Sequence, residues 1–98
     1  RGRRMEDEYK EIVRKFYEIY RPLQKKYNLR YHMHFSIYES EDDLIEIWEY
    51  SGETRGKCIV RAKETEDIDC YKRAIDELKN YKQEREEKEH GKSAAMAG

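Results

Sequence analysis

The chain has 98 residues, 37% apolar and 44% charged, which allows one small domain with a thin core and little more. Aromatics make up 12%, which argues against a disordered chain, and a net charge of −1 excludes a global pull toward nucleic acid or acidic lipid. Two cysteines are too few for a disulfide framework, and no signal peptide or bilayer-length apolar run is evident, so the expected compartment is cytoplasmic, without membrane.

Residues 1–5 are expected to be a leader of vector-derived or frayed character, because Met5 has the look of a natural start. A single domain is expected over 6–90, and a flexible tail over 91–98. From 6 to 27, Tyr9, Ile12, Val13, Phe16, Tyr20, Leu23 and Tyr27 recur at steps of three and four, the spacing of one helix face. Pro22 should kink or break this helix near Glu18–Arg21, and Asn28 is a fitting left-handed stop.

Three strands are expected over 30–38, 43–50 and 57–63. Tyr31, Met33, Phe35 and Ile37 alternate with His32, His34, Ser36 and Tyr38, so the first strand has one apolar face. The second, Leu44-Ile45-Glu46-Ile47-Trp48-Glu49-Tyr50, is apolar on both faces. In the third, Cys58, Val60 and Ala62 alternate with Lys57, Ile59, Arg61 and Lys63. The links Glu39-Ser40-Glu41-Asp42 and Ser51-Gly52-Glu53-Thr54-Arg55-Gly56 are of hairpin length, so neighbours should be antiparallel. Thr65 is the expected N-cap of a last helix with the stripe Ile68, Tyr71, Ala74, Ile75, Leu78 and Tyr81. Past Lys82 it has only polar residues, and Gly91 marks its latest end.

The fold class that follows is α+β: a two-layer α-β-β-β-α domain, a three-stranded antiparallel meander with two helices on one face. The inner face is expected to take Tyr31, Met33, Phe35, Ile37, Cys58, Val60 and Ala62. Ile45 and Ile47 join it, because the opposite choice would bury Glu46. Both cysteines are expected to be reduced apolar fillers.

The other face should then show Trp48, Tyr50, Tyr38 and Ile59 among His32, His34, Glu46, Lys57 and Arg61. Covering those rings and the isoleucine would remove roughly 300–500 Å² from water, on the order of 10 kcal/mol before costs. The function expected is a non-catalytic binding or regulatory domain that joins a protein partner, or a second copy as a homodimer, through this face. By analogy alone, small proteins of this kind are often regulators or inhibitors, including ones carried by phages. The competing reading is a nucleic-acid accessory protein. Residues 1–30 have ten Lys/Arg against five Asp/Glu, and Lys10, Arg14, Arg21 and Lys25 flank the first helix, led by Arg3 and Arg4. Residues 31–70 have four against eleven.

His32-Met33-His34 has its two imidazoles on one side of a strand, a spacing that suits a metal ion. The string resembles the His-hydrophobic-His motif of HUH endonucleases, which nick single-stranded DNA with a tyrosine from a later helix. That resemblance, three residues long, implies His32 and His34 as metal ligands and Tyr71 or Tyr81 as nucleophile. The element order is also similar to that of double-stranded-RNA-binding domains. Thr65-Glu66-Asp67-Ile68-Asp69 stands where that family has a lysine cluster to grip phosphates, and it would repel them, so that family is set aside. No Gly-rich phosphate loop, nucleophile elbow or Cys/His pairing is present, so no catalytic residue and no cofactor is expected.

Overall fold

Phe16, Tyr20 and Leu23 fall on one side of the first helix and are buried there, at 0%, 2% and 5% exposure. The computed structural model describes residues 2–38 and 40–97, with side chains over 6–38 and 40–90; Arg1, Glu39 and Gly98 lie outside the described residues, as do the side chains of 2–5 and 91–97. Helix α1 spans Gly2–Tyr27 and runs through Pro22 without a break. The proline is exposed, on the outer side. Its missing hydrogen bond and clash cost about 3 kcal/mol, and burying Tyr20 and Leu23 on either side of it returns roughly 1.5–3 kcal/mol each. The helix stops at Asn28, whose φ of 53° is the left-handed conformation expected of it.

The strands are β1 (Leu29–His34), β2 (Asp43–Ser51) and β3 (Thr54–Glu64), in the order β1-β2-β3 with both pairings antiparallel. Helix α2 covers Asp67–Ala97, so the α-β-β-β-α meander with its helices packed against the sheet is the observed architecture. Ile45 pairs with Met33 and Ala62, and Ile47 with Tyr31 and Val60. Ile45, Ile47, Val60 and Ala62 are all at 0–1% exposure beneath Phe16, Ala74 and Leu78. The isoleucines face inward, which leaves Glu46 outside as its charge requires.

Several boundaries differ from expectation. Strand β1 ends at His34, because the chain beyond it bonds to side chains and to its own loop instead of to the backbone of β2. The Ser36 N–H donates to Asp43 Oδ1 at 2.8 Å, the Tyr38 N–H to Ser36 Oγ at 3.1 Å, and the Glu41 N–H to the Tyr38 carbonyl at 3.1 Å. Such local bonds compete with a ladder. Ile37, expected in the core, is therefore 89% exposed, and Tyr31 and Phe35 are rim residues at 45% and 37%. Leu29, one residue before the expected strand start, is buried in their place.

Strand β3 begins three residues earlier than expected, across a tight turn with Gly52 at φ 60°. Helix α2 opens at Asp67, so Thr65 is not its cap: the Asp67 carboxylate accepts the Ile68 N–H at 2.8 Å and the Glu66 carbonyl accepts the Cys70 N–H at 3.2 Å. The helix also passes Gly91, where only about 1 kcal/mol opposes it and good helix formers follow. Its polar stretch is tied to the end of α1. Arg85 sits 4.4 Å over the Tyr27 ring, whose hydroxyl donates to Glu89 at 3.0 Å.

Candidate functional site

Alternation along β2 sends Leu44, Glu46, Trp48 and Tyr50 to the face away from the helices, and all four are half-buried by their own sheet neighbours. None of the three apolar ones touches the buried core cluster. Cross-strand pairing sets Arg30 beside Trp48, His32 beside Glu46 and His34 beside Leu44 on one flank. On the other flank stand Lys63 beside Leu44 and Arg61 beside Glu46, with Arg61 Nε 3.7 Å from the Glu46 carboxylate.

Two guanidiniums cover the rings. Arg55 lies 4.4 Å over Trp48, and Arg30 lies 4.4 Å over Tyr50 while reaching Glu53 at 3.3 Å. Each such contact contributes about 0.5–1 kcal/mol at an exposed site. Tyr50 is further fixed by Asn28, whose Nδ2 donates to the Tyr50 carbonyl and whose own carbonyl accepts the Tyr50 N–H, both at 3.0 Å.

The register that brings Arg55 to Trp48 is irregular. The pairing slips between Ile47 and Trp48, so that Cys58 and not Ile59 stands opposite Trp48, and slips again before Tyr50. At the second slip a Cβ on Gly56 would lie 3.0 Å from the Glu49 carbonyl oxygen, so glycine alone fits without a shift. Bulges of this kind re-aim side chains.

The structure therefore brings together Trp48, Tyr50, His32, His34 and Arg61, and removes two of the expected residues. Ile59 packs against the core, beside Tyr81 and Asn80 of α2, because of the slip opposite Trp48. Tyr38 sits on the loop past β1, where it lines a cleft of about 610 Å³ with Tyr9, Glu41 and Ile68 at the far end of the molecule. The pairing also adds Arg30, Arg55, Leu44 and Lys63. Alternation alone already sets Leu44 on the side of Trp48 and Lys63 on the side of Arg61; the two ring-covering arginines depend on a register that no sequence pattern discloses.

The flank of α1 is less available as a phosphate-binding stripe. Arg14 is clasped by Glu11 and Glu18, and the guanidinium's hydrogen bonds hold the Glu11 carboxyl below its usual range. Arg21 lies 5.3 Å from the Tyr17 ring centre, Lys10 borders the cleft beside Glu6 and Glu8, and Lys25 is exposed. The side chains of Arg3 and Arg4 lie outside the described residues.

His32 and His34 share the open face, both exposed. Tyr71 and Tyr81 are buried on the opposite side of the sheet, where the Tyr71 hydroxyl reaches Met33 Sδ at 3.7 Å and the Tyr81 hydroxyl donates to Glu49 at 2.5 Å. The sheet itself thus separates the candidate ligands from the candidate nucleophiles. Among the described residues no group of three or more His, Cys, Asp or Glu has the geometry to hold a metal ion, and no helix is long and apolar enough to cross a membrane. Comparison with protein-family models, with curated proteins and with solved structures finds no match to this chain.

Proposed function

We propose that this chain is a non-catalytic protein-binding domain that docks through the open face of its sheet, to a foreign protein or to a second copy. One observation supports this most: Leu44, Trp48 and Tyr50 project from the central strand on the side where neither helix lies. Trp, Tyr and Arg are the residue types that dominate binding hot spots, and here Trp48 and Tyr50 stand among Arg30, Arg55 and Arg61. The rings are held by the arginines stacked on them and the Tyr50 backbone is held by Asn28, so less freedom remains to be lost on docking. A role as a regulator or inhibitor in the cytoplasm suits a surface of this kind, and Cys58 and Cys70, both free thiols, suit a reducing compartment.

The test compares wild type with Trp48→Asp. Light scattering across a concentration range detects self-association, and capture from the native host detects a foreign partner. The partner, of either kind, should be lost in Trp48→Asp while circular dichroism stays unchanged. A variant that keeps the same partner would show that docking happens elsewhere.

A further inference from the structure

Although the segment 31–70 is acidic by count, its carboxylates gather at the ends of the strands and the open face itself is basic. Arg30, Arg55, Arg61 and Lys63 stand there against Glu46 and Glu53. Arg55 and Lys63 have no carboxylate partner among the described residues, and Arg61 reaches Glu46 only at 3.7 Å. Two such faces brought together would set cation against cation around the tryptophan, which disfavours self-docking. The apolar part has also shrunk, since without Tyr38 and Ile59 it is Leu44, Trp48 and Tyr50 alone, all half-buried and the two rings covered by guanidiniums. Charge must therefore supply much of the fit, and it must come from a partner of opposite sign.

We infer that the open sheet face docks an acidic segment of a foreign protein, carboxylates meeting Arg55, Arg61 and Lys63 and an apolar side chain meeting Trp48 and Leu44. This rests on the docking role proposed above and names its partner's chemistry. Nucleic acid is the less favoured anion here, because guanidiniums already occupy the ring faces on which bases would stack.

Trp48 is the single tryptophan and lies in the face, so its emission reports occupancy directly. The full chain is titrated with a short synthetic peptide alternating Glu and Leu, with its Lys and Leu counterpart, and with a short oligothymidylate. The acidic peptide should change the emission with an affinity that falls steeply as salt rises, and the basic peptide should not. Arg55→Glu and, at an exposed position with no packing role, Lys63→Glu should each weaken it by about tenfold or more. An equal response to both peptides, or a response to oligothymidylate alone, would overturn the inference. If instead the acidic peptide is ignored and a dimer forms that Trp48→Asp dissolves, the docking face stands and its acidic partner falls. If no probe responds and Trp48→Asp changes no association, both readings fall together.

Discussion

Burial makes a phenol costly to charge, and this chain uses that cost repeatedly. Tyr20 and Tyr71 are 2% and 6% exposed, and burial pushes both hydroxyls up to about 12. Burial likewise pushes the Cys70 thiol up to about 11. In an unfolded chain tyrosine titrates near 10. Below pH 10 both states therefore keep the phenol protons, while the Cys70 thiol, ordinarily near 9, has by then begun to cost stability. Between 10 and about 12 the unfolded chain releases protons that the folded one retains, so stability falls as pH rises through that window. A titration followed at the phenolate absorbance should accordingly show a fraction of the nine tyrosines ionising only together with loss of helical circular dichroism. Full ionisation with the helix signal intact would contradict this burial. On the open side, arginines and not apolar side chains cover Trp48 and Tyr50.

Among the elements, the loop between β1 and β2 decides how much of the sheet is apolar. Asp43 is 7% exposed and opens β2, yet its carboxylate accepts the N–H of Ser36 across the loop. Asp43→Ala should cost about 1–3 kcal/mol in chemical denaturation by stranding that donor, with faster amide exchange over 36–42; unchanged exchange there would rule the tether out. This tether also explains where sequence reading ran short. The helices were legible because Phe16, Tyr20 and Leu23, then Ala74, Leu78 and Tyr81, recur at helical spacing. The facing of β2 was legible because Glu46 has to stay outside. Alternation continued through Phe35 and Ile37, however, and nothing in it signals that Ser36 prefers Asp43 to a strand partner. Nor does it signal the slip opposite Trp48, which turned Ile59 inward and brought Arg55 over the indole. Such irregularities arise from pairing between strands, which a pattern along one strand does not contain. Half of the candidate face was visible in advance for that reason, and its arginine cover was not.

The described residues measure 57 × 29 × 19 Å, and their shortest dimension holds two layers and no third. Among the described residues nothing therefore lies above one face of the sheet, and that face presents the single tryptophan among four cations. Collisional quenching of Trp48 emission tests this most directly. The structure predicts that acrylamide quenches the native protein readily and that iodide, drawn by Arg30 and Arg55, quenches it more strongly than caesium at equal ionic strength. Emission that no quencher reaches until the chain is denatured would place Trp48 inside the protein, and the docking face would not exist.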